Sequence, residues 1–192
     1  MINTLVQKCV EIFSIKFNYS LLLRIFLFTL ASVPNLFHNQ AQAFVNPVVT
    51  NGFMNSGLSA QFHSLFWGLF KSYKKACDNN EIEIGKCHVY ETGYDFPKYI
   101  INFPTRICTR SKSKMLYIEK GLHDLANIIQ KYDMEDIVIP ALGCGKGGLK
   151  WNHVMKLINK ELKHIHKNRK IILVPPFEFE IESDYNEFIH DQ

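Results

Sequence analysis

From residue 44 onward, hydrophobic positions alternate between two spacings, one typical of buried strands and one typical of amphipathic helices. Short, nearly continuous apolar runs predict strands at 44–49, 86–92, 98–103, 136–142 and 170–174. Apolar residues that recur every three or four positions predict helices over 58–76, 115–129 and 151–165. Apolar strands that alternate with helices indicate an α/β fold, with helices covering both faces of a central sheet.

The apolar run at 21–33 (LLLRIFLFTLASV) has two interpretations. Together with AQA at 41–43 it resembles a secretory signal peptide cleaved after Ala43. Against this, Arg24 interrupts the run, Glu11 lies where a positively charged segment is expected, and the cleavage point is late. The run is also shorter than the roughly 20 residues that span a bilayer. We therefore expect a buried strand at 25–30, preceded by an extension of unassigned role at 1–20.

The distribution of charged residues along the chain separates a basic body from an acidic tail. The formal net charge is +4, yet residues 177–192 contain six acids and no Lys or Arg. Without those six negative charges the rest of the chain carries +10, which suits a phosphate-bearing ligand. We expect three parts: the extension at 1–20, one domain at 21–176, and an acidic tail at 177–192.

The five cysteines are widely spaced, odd in number and form no C-x-x-C pair. This pattern is neither a disulfide framework nor a zinc site, and it predicts reduced thiols in a cytoplasmic protein with no membrane partner. His164 and His166 are two positions apart on a predicted helix, so their side chains do not face each other and no metal site is expected.

The strongest chemical signal is the glycine-rich turn GCGKGG at 143–148, between a predicted strand and a predicted helix. Such a turn lets successive N–H groups converge on a phosphate or pyrophosphate, although a tight turn without a ligand is the alternative. Its G-x-G-x-x-G spacing is also compatible with a dinucleotide-binding site. The turn comes late in the chain, and Pro175 and Pro176 stand where that site needs an acid. We expect Cys144 to be a small packing residue.

Two further loops follow predicted strands. The loop at 51–57 contains two glycines and leads into a helix, so it could face the glycine-rich turn across one crevice. The loop at 105–114 (TRICTRSKSK) is basic, and Arg106 directly follows a strand and therefore could reach a site at the carboxyl edge of the sheet. The other basic residues are predicted to be solvated, or to contact a nucleic-acid backbone.

Three segments together resemble macro domains: AFVNPVVTNGFMNSGLSAQF at 43–62, YIINFPTR at 99–106 and IPALGCGKGGLKW at 139–151. The chain is most similar to the branch that contains the DarG antitoxin and the terminal ADP-ribose protein glycohydrolases, over about 25–175. The resemblance implies a three-layer α/β/α sandwich around a mixed, mostly parallel sheet, with ADP-ribose bound in a cleft as ligand or product and no cofactor. It also implies hydrolysis of ADP-ribose from modified DNA or protein, and a cognate ADP-ribosyltransferase toxin as a partner.

The resemblance implies ligand-binding roles at several positions. Near the adenine, the family's aspartate position is Asn35, which can accept a hydrogen bond without a charge, and Leu36 follows it. Asn46 matches the asparagine of the family's VN motif, and Val49 stands where relatives place an asparagine near the distal ribose. The other implied ligand-binding positions are Val48, Leu58, Ser59, Ala60, Gln61, Thr105, Leu142, Gly143, Cys144, Gly145, Lys146 and Gly147.

Arg106 occupies the position of the family's catalytic lysine. A neutral lysine amine can attack the anomeric carbon of the ribose, whereas an arginine stays protonated and is not a nucleophile. If Arg106 contributes, we expect it to stabilise developing charge while the phosphates orient a water. Lys112 or Lys114 could substitute for the lysine only if the loop folds back. Gly147 stands where the terminal ADP-ribose protein glycohydrolases have an acid, as a glycine does in DarG-like members.

This mapping favours binding over catalysis, because the pyrophosphate turn is kept and the nucleophile is not. The leading hypothesis is an ADP-ribose-binding macro domain that removes ADP-ribose from DNA or protein, with its catalytic competence left open. The alternatives are an inactive reader of ADP-ribosylated targets and a module that binds nucleic acid through the basic loop, whose affinity would fall steeply with salt. An NAD-dependent oxidoreductase would need a nicotinamide pocket, for which the sequence offers no residues.

Overall fold

The computed structural model describes residues 36–165 and 169–176, which belong to a single unit. Four expectations lie outside the described residues: the strand at 25–30, the extension at 1–20, the acidic tail at 177–192 and the adenine-contacting Asn35. No helix in the described ranges combines the length and the hydrophobicity that a membrane crossing requires.

The centre of the domain is a five-stranded sheet in the order β2-β3-β1-β4-β5. Its edge strand β2 runs antiparallel to β3, while β3, β1, β4 and β5 are mutually parallel. The predicted mixed, mostly parallel sheet is thereby confirmed. The strands are β1 Ala43–Val49, β2 His88–Glu91, β3 Tyr99–Arg106, β4 Asp136–Pro140 and β5 Lys170–Val174.

Four helices cover the sheet: α1 Leu58–Leu65, α2 Leu69–Asp78, α3 Met115–Lys131 and α4 Trp151–Glu161. Side chains alternate across each buried strand, so Val45, Ile101 and Ile139 pack in one core with α3 and α4. Phe44, Ile100 and Val138 face the other way and pack in a second core with α1 and α2. The molecule is therefore the three-layer sandwich that the sequence predicted.

The single helix expected over 58–76 is wrong, because the structure has two helices there. Phe66 is extended with φ −119° and ψ 102°, and Gly68 adopts the left-handed conformation with φ 85°, which glycine reaches without a steric penalty. The hydroxyl of Tyr90 donates to the carbonyl of Trp67 at 2.6 Å and holds this break in place. The apolar spacing continues across the break because both helices pack on the same core.

Several element ends also differ from the expectation. β3 runs past its predicted end at 103 to Arg106, so Thr105 and Arg106 belong to the strand and the basic loop begins at Ile107. The last predicted helix ends at Glu161, and the chain continues in turns to Ile165, whose side chain remains in the core. The strand expected at 136–142 ends at Pro140, because the glycine-rich turn begins directly after it.

Candidate functional site

Three loops follow the carboxyl ends of β1, β3 and β4 and lie at the same edge of the sheet, where open α/β sheets bind their ligands. The first two loops are joined at their start. Val49 pairs with Arg106, the N–H of Thr50 donates to the carbonyl of Arg106 at 3.1 Å, and the hydroxyl of Thr50 donates to the carbonyl of Ile107 at 2.9 Å.

The basic loop at 107–114 folds back onto the glycine-rich turn. The N–H of Ser113 donates to the carbonyl of Gly147 at 3.1 Å, and the amine of Lys112 lies 3.5 Å from the carbonyl oxygen of Lys146. The basic loop therefore folds back, which is what Lys112 needs in order to approach the site. Hydrogen bonds thus connect all three loops along this edge of the sheet.

The glycine-rich turn is held by its own backbone. The N–H of Cys144 donates to the carbonyl of Ala141 at 3.2 Å, and the N–H of Leu149 donates to the carbonyl of Gly143 at 3.1 Å. Gly143 has φ 73°, a conformation in which a side chain is strained. These bonds close the turn around residues 145–147.

The open side of the turn presents three consecutive donors. The N–H groups of Gly145, Lys146 and Gly147 make no hydrogen bond with any residue that the structure describes. Successive free N–H groups in a turn form a concave anion site, and a phosphate supplies the acceptors that they lack. The turn therefore offers three donors of the kind that a phosphate site needs.

Gly145 and Gly147 differ sharply in their surroundings. A Cβ atom added at Gly145 would meet nothing within 4 Å. A Cβ atom added at Gly147 would overlap the carbonyl oxygen of Gly143 and the hydroxyl of Ser113, which is itself buried without a hydrogen-bond partner. The acid expected at this position in the terminal ADP-ribose protein glycohydrolases does not fit this turn as it is folded.

Helix α1 begins at the end of the first loop, and no side chain caps its first turn. Its N-cap is Gly57 with φ 61°, and its first turn contains no acid. Ser59 does not compensate for this, since its hydroxyl donates to the carbonyl of Ser56 at 2.9 Å. The N–H of Ala60 donates to the carbonyl of Gly57 at 3.2 Å. The N–H groups of Leu58 and Ser59, which have no acceptor among the described residues, and the positive end of the helix dipole are thus available to an anion.

Gln61 lies on the first turn of the same helix and has a buried Oε1 atom without a hydrogen-bond partner. This amide oxygen is an acceptor that the protein alone does not satisfy. Leu58 and Ala60, which lie on the same turn of the helix, are both partly buried, and Leu58 packs against the core.

Arg106 and Thr105 end β3 with different surroundings. Thr105 is buried and donates from its hydroxyl to the carbonyl of Val48 at 3.3 Å, which ties β3 to β1. The guanidinium of Arg106 is only partly buried and donates from Nη1 to the carbonyl of Thr109 at 2.8 Å. Arg106 therefore lies at the predicted edge, with its charge held by its own loop.

Three further predicted ligand positions are part of the core. The Leu36 side chain is 1% exposed and packs beneath α1, and Val48 and Val49 are also buried. The carbonyl of Val49 accepts a hydrogen bond from the hydroxyl of Tyr73 at 2.6 Å. The side chains of these three residues therefore lie in the core.

The cysteines near the site differ in their acidity. Burial raises the pKa of the Cys144 thiol to about 11, so that it stays protonated, and its Sγ lies 3.6 Å from the carbonyl of Leu142. This agrees with the packing role expected for Cys144. By contrast, the N–H of Arg110 and the hydroxyl and N–H of Ser111 lower the pKa of Cys108.

Asn46, a predicted ligand position, is buried and begins a line of polar side chains on β1, β3 and β2, of which Asn102 and His88 were missed in the sequence. Asn46 donates from Nδ2 to Oδ1 of Asn102 at 2.9 Å, and Nδ2 of Asn102 lies 3.1 Å from Nδ1 of His88. The line ends on α2, where the hydroxyl of Ser72 lies 3.3 Å from Nε2 of His88. Its signal is a polar residue in an otherwise apolar strand, as in YIINF, but one such residue does not name its partner.

Comparisons with known proteins identify the class to which this domain belongs. Residues 45–158 match the model of the macro domain family. This match covers more than half of the chain, and the chain belongs to the macro domain family.

The relatives include DNA ADP-ribosyl glycohydrolases. The protein of that name from Mycobacterium tuberculosis is 41% identical over 121 residues, which are 62% of this chain and 34% of the relative. Its namesake from Thermus aquaticus is 40% identical over 130 residues, which are 67% of this chain and 36% of the relative. The chain therefore spans about a third of the length of these relatives.

Solved structures agree with these sequence matches. The macrodomain of Mycobacterium tuberculosis DarG superposes with a TM-score of 0.71 at 36% identity, covering 73% of this chain and 92% of that chain. Thermosipho africanus DarTG in complex with ADP-ribose superposes with a TM-score of 0.68 at 27% identity, covering 74% of this chain and 40% of that chain. The corresponding relative from this organism is named a DNA ADP-ribosyl transferase–DNA ADP-ribosyl glycohydrolase fusion protein, and it is 26% identical over 144 residues, covering 67% of this chain and 37% of the relative.

Proposed function

We propose that this macro domain binds ADP-ribose at the carboxyl edge of its sheet. The observation that carries the proposal is the row of unpartnered N–H groups at Gly145, Lys146 and Gly147, which suits one phosphate of a pyrophosphate. The uncapped amino terminus of α1 offers further donors on the same edge. The structure of Thermosipho africanus DarTG with ADP-ribose, which superposes on this domain, supports the same ligand.

The ligand is proposed to be the ADP-ribose group of modified DNA. This follows from the names of the relatives at 40–41% identity, which are DNA ADP-ribosyl glycohydrolases. The basic loop at the site, with Arg106, Arg110, Lys112 and Lys114, suits a polyanion better than a neutral target. A cognate ADP-ribosyltransferase toxin is the corresponding partner, in line with the fusion protein of Thermosipho africanus.

Calorimetric titration of the purified chain with ADP-ribose tests the binding, with AMP as the control. We expect a dissociation constant of about 1 μM, and AMP weaker by about tenfold because it lacks the second phosphate. No heat change with ADP-ribose, or equal affinity for both nucleotides, would overturn the proposal.

A titration with DNA separates cleft recognition from general affinity for nucleic acid. An ADP-ribosylated oligonucleotide should bind more tightly than the same unmodified oligonucleotide, and the difference should persist when the salt concentration is raised. Binding through backbone phosphates alone would fall steeply with salt and would not distinguish the two oligonucleotides. That result would favour the nucleic-acid-binding module instead.

Hydrolysis is the second candidate activity, and it is supported by the relatives' names and opposed by Arg106. An arginine does not form the covalent intermediate that a neutral lysine can form, so any turnover must come from charge stabilisation and an oriented water. Release of free ADP-ribose from modified DNA is the assay. Fast turnover that is unchanged in Arg106→Ala would contradict a role for Arg106.

A further inference from the structure

We propose that Lys112 supplies the positive charge that pairs with the pyrophosphate of the bound nucleotide. This inference rests on the proposed binding of ADP-ribose and adds a residue from a second loop to the phosphate site. The family resemblance gives Lys112 only one conceivable role, that of a substitute nucleophile. Its position in the structure indicates a different role.

The amine of Lys112 lies beside the turn that carries the free N–H groups. It is 3.5 Å from the carbonyl oxygen of Lys146 and 3.6 Å from the point where a side chain at Gly148 would begin. The ammonium group of Lys112 therefore lies at the same turn as the N–H groups that are proposed to hold the phosphate.

The backbone fixes this approach of the loop. The N–H of Ser113 donates to the carbonyl of Gly147 at 3.1 Å, and the Ser113 side chain is buried against the turn. Lys112 directly precedes this anchored residue and is exposed. The anchored backbone of the loop thus brings Lys112 to the turn.

Two neighbouring cations are engaged elsewhere, whereas the Arg110 side chain is exposed. Arg106 donates to the carbonyl of Thr109, and the amine of Lys114 lies over the ring of Tyr117 at 5.6 Å from its centroid. Lys112 has no carboxylate partner among residues 36–165 and 169–176. It is therefore an uncompensated charge next to a site built for an anion, which is the arrangement expected of a phosphate-binding residue.

The assignment makes Lys112 a binding residue and not a nucleophile. It lies at the turn after β4, whereas the family's nucleophile position is Arg106 at the end of β3. An ammonium group that holds a phosphate is protonated and acts as a point charge.

The test is calorimetric titration of the full chain with ADP-ribose at 20 mM and 500 mM NaCl. Lys112→Ala should weaken binding about five- to tenfold at low salt, the range for one partly solvated charge pair, and the difference should shrink at high salt. Lys112→Arg should retain most of the affinity. The matched control is Lys156→Ala on the exposed face of α4, which removes an equal charge outside the three loops and should change the affinity less than about twofold.

Each outcome bears on the proposal. Equal loss in Lys112→Ala and Lys156→Ala would reduce the effect to general charge, and unchanged affinity in Lys112→Ala would overturn the assignment while leaving ADP-ribose binding intact. Failure of the unaltered chain to bind ADP-ribose would overturn both. Thermal denaturation of each variant confirms that the fold is kept, as expected for an exposed side chain.

Discussion

Asn46 on β1 and Asn102 on β3 stand opposite each other in the sheet and share a hydrogen bond of 2.9 Å, from Nδ2 of Asn46 to Oδ1 of Asn102. Asn102 also stands opposite His88 of β2 and contacts its Nδ1 atom at 3.1 Å. Both asparagines are fully buried. A slip of one residue would turn these polar side chains into the opposite, apolar core, so the line specifies the register of three strands.

Replacing Asn102 with leucine should destabilise the domain by about 2 kcal/mol or more. The variant has a similar volume but leaves Nδ2 of Asn46 and Nδ1 of His88 buried without this partner, and an orphaned buried group costs about 1–3 kcal/mol. Urea denaturation measures the loss. Asn152→Ala, on the exposed face of α4, is the control and should change stability by less than about 0.5 kcal/mol. Similar stability of the two variants would show that the line is dispensable.

His88 should make the stability of the domain depend on pH in the acidic range. Burial lowers the pKa of His88 below its usual 6.5, and nearby Glu81 only partly opposes this. The unfolded chain therefore binds a proton more readily than the folded one. The free energy of unfolding should be insensitive to this residue above about pH 7 and should decrease as the pH falls through and below 6.5.

Urea denaturation at several pH values between 5 and 8 checks this dependence. In His88→Gln the decrease on acidification should be smaller than in the unaltered chain, because the titrating group is gone while a polar side chain remains. His153→Gln, on the exposed face of α4, should retain the full decrease. If His88→Gln retained it as well, the acid sensitivity would originate elsewhere.

Gly147→Ala should damage both the fold of the turn and the binding of ADP-ribose. The added methyl group would overlap backbone at Gly143 and the hydroxyl of Ser113, so the three free N–H groups would move. We expect a destabilisation of about 1–3 kcal/mol and a loss of affinity of more than about tenfold. Thermal denaturation and calorimetric titration measure the two effects.

The control for this substitution is Gly145→Ala, where a Cβ atom meets nothing within 4 Å and φ is not in the left-handed region. Its melting temperature should match that of the unaltered chain. A Gly147→Ala variant as stable as Gly145→Ala would mean that the turn can expand. The turn would then also accommodate the acid that the terminal ADP-ribose protein glycohydrolases have at this position.

The layers of the fold were predictable because they depend on repeated patterns. Each buried strand is apolar along its length, and the resulting alternation assigns Phe44 and Val45 to opposite cores without any knowledge of their partners. The break between α1 and α2 was not predictable in this way, since both helices bury the same face. Only the conformation of Gly68 and the hydrogen bond between Tyr90 and Trp67, distant in sequence, produce it.

The site was predictable where a short motif defines it and not where distant loops meet. The free N–H groups of the turn follow from GCGKGG itself, as local backbone geometry. The approach of Lys112 depends on contacts between residues 34 positions apart, and the partner of Asn46 is 56 positions away. A sequence identifies the polar residues but does not say which of them meet.

Arg106→Lys should increase the release of ADP-ribose from modified DNA by about tenfold or more over the unaltered chain. Arg106 lies at the family's lysine position, and the shorter lysine side chain loses the hold that Nη1 of Arg106 has on the carbonyl of Thr109. A lysine amine that becomes neutral in the site can attack the anomeric carbon, which the guanidinium cannot do. The initial rate of ADP-ribose release is the measurement, and Arg110→Lys, the same change in the same loop, is the control and should leave the rate unchanged. If Arg106→Lys were no faster than Arg106→Ala, the end of β3 would not lie within reach of the reacting carbon, and the domain would be a binding module.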